Sequence, residues 1–441
     1  MNTSKKYSLL LLLFLSTAAV CAQIKPQDTA KFKWFANAKL GIFIHWGIYS
    51  VNGIDESWSF YNNLISYEDY MQQLNGFTAS KYKPKYWAKL IKQSGAKYAV
   101  ITSKHHDGVA LWDSKFSTLN VVKKTPAKRD LLKPLVKALR NEKLKVGLYY
   151  SLLDWSNPNY PNFKRNQKRY ENDSVRWQKF VKFNLGQIGE IMDNYHPDLV
   201  WFDGDWEQSA EKWRAKEIRA LLQQKNKKVI INSRLQGYGD YATPEQGLPI
   251  TKPTDEYWEL CMTMNDSWGY QPNDNNYKTP YQVIRLFTDV IAMGGNLLLD
   301  IGPKPDGTIP EKQQNILKEL GEWTKKHEST IFNTQAGISR NYFSGPSTLS
   351  ADKKTLYLFV TGKPNGPIML KGLQNKINTA WVVGKGTKLK TEVKMKAWWS
   401  KIPGVVFIDI PEYTLDKYIT VIALSLDGQI QLFDDKKEIK N

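Results

Sequence analysis

Apolar residues come along this chain in short continuous runs rather than in strict alternation. The runs are Leu40–Trp46, Tyr98–Ser103, Lys145–Ser151, Leu199–Asp203, Val229–Asn232 and Asn296–Ile301. Continuous apolar character over such lengths suits strands covered on both faces, as in a parallel sheet. Stretches with helical spacing lie between them. Leu131–Leu139 follows Asp130, a candidate N-cap. Val175–Met192 carries apolar residues at helical spacing and stops near His196-Pro197. Pro280–Met293 and Glu311–Lys326 are similar, and Gly294-Gly295 ends the first of them. This alternation predicts an α/β fold, a (β/α)8-like (TIM) barrel. A doubly wound open sheet is the competing arrangement. No G-x-G-x-x-G or G-x-x-x-x-G-K-[ST] follows a strand, which counts against it.

The pattern changes near residue 336. Thr355–Val360, Ile368–Leu370, Thr379–Val383, Val405–Ile410 and Tyr418–Leu424 are short β-type runs. Turn residues such as Lys363-Pro364-Asn365-Gly366 and Leu426-Asp427-Gly428 separate them. They predict a C-terminal antiparallel β-sandwich, read as a packing domain. At the other end, Lys5 and Lys6 precede the apolar run Leu9–Leu15, and Val20-Cys21-Ala22 resembles a small-residue cleavage site. That is the pattern of a signal peptide, and it places the protein in the periplasm or outside the cell. The expected division is therefore 1–22 signal, 23–335 catalytic domain and 336–441 sandwich.

Composition narrows the picture. The chain has 441 residues, 41% of them hydrophobic, with 62 Lys+Arg against 43 Asp+Glu and a net charge of +19. That is a globular composition and not a disordered one. The mature chain has no apolar stretch long enough to span a bilayer. With only Cys21 and Cys261, no disulfide scaffold is possible. The basic residues are spread along the chain without a long basic run, so no nucleic-acid partner is expected.

The chemistry falls at strand ends. Three of the 5 histidines, His45, His105 and His106, lie at or just after predicted strands. In a parallel barrel those ends gather on one face, where active sites are built. Strand alternation puts Phe43 and His45 on the same side. The strand Leu199–Asp203 delivers Asp203 to its mouth, with Asp205 as the neighbouring alternative. Glu259 follows another Trp-containing apolar stretch. Two carboxylates among aromatic rings fit glycoside hydrolysis. His45, His105, His106 and Asp203 could instead ring a metal ion. There is no H-x-H after the first strand and no H-E-x-x-H, so no metal and no cofactor is expected.

Four stretches, in order, resemble glycoside hydrolase family 29, the retaining α-L-fucosidases. They are Trp34-Phe35 leading into Leu40–Trp46, Ser103–Trp112, Trp201–Trp206, and Tyr257–Tyr270 followed by Gly294–Gly302. The resemblance covers about residues 27–335. It implies an exo-acting enzyme on fucosylated glycans, with Asp203 as nucleophile and Glu259 as general acid/base. By the same resemblance, His45, His105, His106, Tyr150, Trp201 and Arg234 contact the sugar. Phe43 would form an apolar wall against its 6-methyl group. Trp58 matches a family Trp, but Ser57 stands where the family carries Glu, and Glu56 is the adjacent candidate to replace it. A retaining glycosidase for another sugar, or a glycan-binding protein without turnover, are the competing readings.

Overall fold

The computed structural model describes residues 29–434. The signal-peptide reading at 1–22 lies outside the described residues. Seven parallel strands form the first sheet: β1 (Leu40–Ile44), β2 (Tyr98–Lys104), β3 (Lys145–Ser151), β4 (Leu199–Asp203), β5 (Ile230–Ile231), β6 (Glu259–Met262) and β7 (Asn296–Ile301). Their order is β5-β4-β3-β2-β1-β7-β6. The gap between β5 and β6 is spanned by residues 241–245. That segment makes parallel bridges Asn232↔Tyr241, Ala242↔Trp258 and Glu245↔Cys261. It acts as an irregular eighth stave and curls the sheet into a barrel.

The near-continuous apolar runs follow from this closure, because each strand is buried on both faces. Phe43, Val100, Tyr149, Trp201, Cys261 and Leu298 point inward and pack on one another. Ile42, Ile101, Leu148, Tyr150, Val200 and Leu260 point outward and pack under the helices. Each fully buried large side chain contributes about 1.5–3 kcal/mol of hydrophobic stabilisation.

The helices begin where local chemistry satisfies their free N–H groups. Asp130 Oδ1 accepts from Leu132 N and Lys133 N ahead of the helix Leu132–Asn141. Asp173 caps Ser174–Tyr195, and Thr279 with Gln282 forms a capping box at Pro280–Ala292.

The C-terminal part is two antiparallel sheets. Its strands are β8 (Thr334–Ala336), β9 (Ser347–Ser350), β10 (Thr355–Thr361), β11 (Ile368–Leu370), β12 (Ile377–Val382), β13 (Thr391–Lys394), β14 (Val405–Ile408) and β15 (Ile419–Leu426). One sheet runs β8-β9-β10-β15-β12 and the other β11-β14-β13. Leu356, Leu358, Ile422 and Leu424 of the first meet Leu370, Val406 and Ile408 of the second in a separate core. The sandwich is tied to the barrel's last long helix, Glu311–Lys326. Trp323 Nε1 donates to Ile419 O at 3.0 Å, and Lys326 pairs with Asp416.

Candidate active site

A cavity of about 310 Å3 opens at the C-terminal ends of the barrel strands. The nucleophile candidate stands in its wall. Asp203 is the last residue of β4, and Gly204 turns the chain away at φ +80°. A Cβ at that glycine would sit 2.4 Å from Leu153, so the turn requires glycine. Tyr149 donates to Asp203 Oδ2 at 2.9 Å, and Arg234 Nη1 meets Oδ1 at 2.9 Å. Asp205 faces elsewhere: its carboxylate accepts from the backbone N of Gln236. Of the two aspartates, Asp203 is the one that lines the cavity.

Arg234 links two carboxylates. Its Nη2 pairs with Glu245 Oε2, and its plane lies 4.5 Å over the Trp201 ring. Glu245 sits on the irregular stave and also lines the cavity. The one guanidinium therefore holds Asp203 and Glu245 on a common wall, with Glu245 at the more exposed edge.

The histidines are fixed by their second ring nitrogens. His45 Nδ1 lies 2.8 Å from Asp300 Oδ1 on β7. Burial, then His105, pushes the His45 pKa well below the usual imidazole range. Burial, then Glu56, pushes the Asp300 carboxyl well above its own. Both shifts disfavour a charged pair, and His45 lines the cavity. His105 is held by Ser57 through Nδ1 and stacks on Tyr149 at 5.7 Å and 7°. His106 stands behind Asp203 rather than on the cavity wall, with Nε2 3.7 Å from Asp203 Oδ2. Its Nδ1 lies 2.6 Å from Ser151 Oγ, whose own proton goes to Leu153 O. Nδ1 is therefore the protonated nitrogen, and Nε2 carries the lone pair. Burial, then Lys104, pushes the His106 pKa down to about 3, so the ring is neutral.

Phe43, Trp58, Trp201 and Trp268 give the cavity its aromatic faces. Phe43 lies 5.1 Å from Trp201 and 5.9 Å from Trp268, and Trp268 packs at 4.9 Å on His45. Glu56 reaches the cavity and accepts from Gly269 N. Burial pushes its pKa up to about 7. Ser57, in contrast, serves His105. The structure thus brings Phe43, His45, Trp58, His105, Trp201, Asp203 and Arg234 together around one space.

Three expected residues are elsewhere: His106 behind Asp203, and Glu259 and Tyr150. Glu259 is the first residue of β6, at the strand's entry rather than its mouth. Its carboxylate is fully buried in the barrel interior, where it accepts from Tyr98, from Trp201 Nε1 at 3.0 Å and from Tyr241 at 3.3 Å. It does not reach the cavity, although burial pushes its pKa up to about 7. Tyr150 is one residue out of phase. Alternation along β3 turns it to the outer face, where its hydroxyl donates to Asn184 and Gln187. Tyr149 takes the inward position. Sequence reasoning also missed Glu245, Trp206 and Trp268 as cavity residues. Parity along β3 could have found Tyr149, and Trp268 lay inside a stretch already noted. Glu245 carried no signal, because its stave has no apolar run.

Residues 18–329 match the sequence model of the family described as Alpha-L-fucosidase. An alpha-L-fucosidase of Branchiostoma floridae is 31% identical over 418 residues, covering 85% of this chain and 90% of that protein. Plasma alpha-L-fucosidase of Rattus norvegicus is 31% identical over 420 residues, covering 87% and 88%. Among solved structures, alpha-L-fucosidase isoenzyme 1 from Paenibacillus thiaminolyticus superposes with a TM-score of 0.83 at 34% identity, covering 90% of this chain and 99% of that one. A Bacteroides thetaiotaomicron alpha-L-fucosidase, trapped as a covalent intermediate with 2-fluoro-fucosyl fluoride, superposes at 0.81 and 27% identity, covering 92% and 97%. With a strand-mouth carboxylate, an aromatic cavity and these relatives, the chain belongs to the α-L-fucosidases of glycoside hydrolase family 29.

Proposed function

We propose that this enzyme removes terminal α-L-fucose from glycans with retention of configuration, using Asp203 as nucleophile and Glu245 as general acid/base. The observation that carries this reading is the pair of carboxylates held on one cavity wall by Arg234. Retaining hydrolysis needs two carboxyl groups about 5–5.5 Å apart, and a shared guanidinium fits that scale. Asp203 attacks the anomeric carbon while Glu245 gives its proton to the departing glycosidic oxygen. A fucosyl ester on Asp203 results. Glu245, now a carboxylate, takes a proton from water, which displaces Asp203 and restores both groups. Tyr149 and Arg234 hold the attacking carboxylate in place.

The remaining wall suits a deoxy sugar. His45 and His105, which line the cavity, offer ring nitrogens for hydroxyl groups. Phe43, with Trp201 and Trp268, offers an apolar face for a methyl group. A retaining enzyme for a fully hydroxylated sugar would need polar partners there.

Glu245→Ala is the test. Its loss of kcat/KM is expected to be at least about 100-fold larger on a poor leaving group than on a nitrophenyl fucoside, within the usual contribution of acid catalysis. Azide is expected to restore turnover of the nitrophenyl fucoside. Equal losses on both substrates would move the acid/base role elsewhere. Export to the periplasm or beyond is proposed on the 1–22 pattern. Mass determination of the mature N-terminus tests it, with a start after Ala22 expected and an intact Met1 contradicting it.

A further inference from the structure

The three-stranded sheet of the sandwich carries a feature that catalysis does not use. Its edge strand β13 is exposed at every position, and it runs into a hairpin tip at residues 395–404. The tip holds Trp398 at 91% exposure, Trp399 at 74% and Met395 at 79%, with Val393 and Ile402 also exposed. Two adjacent indoles left almost wholly in water are uncommon on a globular surface, and clustered apolar exposure marks an interaction site.

The charges around the tip identify the surface. Lys390, Lys394, Lys396 and Lys401 flank the indoles, and all are exposed. Glu392 is the one acidic residue between Lys388 and Lys401, and it pairs with Lys394 at 3.0 Å. The whole chain is also strongly basic at +19. We propose that this tip docks on an anionic lipid surface. The indoles enter the boundary between headgroups and acyl chains, and the lysines pair with lipid phosphates.

The geometry favours lipid over a glycan. Sugar platforms present a flat aromatic face, whereas Trp398 and Trp399 meet edge to face at 89°. Met395, Val393 and Ile402 add apolar bulk that a sugar does not reward and an acyl layer does. Lysine stems lie along such a boundary with their ammonium groups in the headgroups.

The experiment uses the full chain with vesicles of phosphatidylcholine alone or mixed equally with phosphatidylglycerol. Co-sedimentation and a blue shift of tryptophan emission are expected only with the anionic vesicles, and both weaken at high salt. Trp398→Ala with Trp399→Ala is expected to abolish binding. Lys396→Gln with Lys401→Gln is expected to weaken it about 25-fold, since each lysine near such a surface contributes about fivefold. Neither pair alters turnover of a soluble fucoside or the melting temperature, because none of these four residues lines the cavity and all are already exposed. Absence of vesicle binding would overturn the proposal. So would binding to a sulfated polysaccharide alone, or a Trp-dependent dimer in sedimentation velocity without vesicle binding.

Discussion

Replacing Glu259 by Gln separates structure from catalysis. The carboxyl group is fully buried, and burial raises its pKa from 4.5 to about 7. The native state then binds more protons than the unfolded chain between those two values. Stability from this group is fully present below about pH 4.5 and is lost as pH rises through about 7. A shift of this size corresponds to about 3 kcal/mol. Gln is neutral at every pH and nearly the same shape. With its carbonyl at the Oε1 position it can accept from Trp201 and Tyr241, and its amide, at the Oε2 position, can donate to the Tyr98 hydroxyl. The variant is expected to cost about 1 kcal/mol at pH 5, from one reversed hydrogen bond, and to gain on the wild type by pH 8. Urea unfolding of both proteins from pH 5 to 8 measures this. The difference between them is expected to swing by about 2–3 kcal/mol across the window. Parallel stability curves would refute the burial argument. A folded variant without turnover on any fucoside would return Glu259 to the chemistry.

Other residues give shorter tests. Tyr149→Phe removes one donor to Asp203 and is expected to lower kcat/KM on a nitrophenyl fucoside about 10- to 100-fold, at about 1.5–3 kcal/mol for a hydrogen bond to a charge. Steady-state kinetics that matched the wild type would contradict the placement. Tyr150→Phe leaves turnover intact and lowers stability by about 1 kcal/mol, read by thermal melting, because only its bonds to Asn184 and Gln187 are lost. Gly204→Ala forces a Cβ into Leu153 at a left-handed turn. A loss of about 1–3 kcal/mol in unfolding measurements, with reduced turnover from a displaced Asp203, is expected.

The fold was legible where periodicity and burial agree. The runs at β1, β2, β3, β4 and β7 are apolar because both faces are covered, and that alone predicts a parallel barrel. The helix Glu311–Lys326 matched residue for residue. The part that escaped is the stave at 241–245, which joins the barrel through isolated bridges and has no apolar run of its own. Its invisibility cost the reading Glu245. Glu259 drew attention as a carboxylate beside Trp258, yet a strand's direction decides whether its first residue lies at the mouth or the base. The last residue of β4 and the first of β6 are at opposite ends of parallel strands. Tyr150 failed for a simpler reason: a resemblance transfers position to within a residue, while a strand reverses its faces at every residue. In the C-terminal part β8, β9 and β13 were also missed, and β13 lacks any buried face to impose a pattern.

The central claim is that Asp203 carries the sugar through a covalent ester. Incubation with 2-fluoro-fucosyl fluoride, followed by proteolysis and mass spectrometry, tests it most directly. The account predicts one fluorofucosyl label, on the peptide ending β4, at Asp203. A label on Glu245, Glu56 or Glu259 instead, or a product of inverted configuration with no labelled peptide, would contradict it.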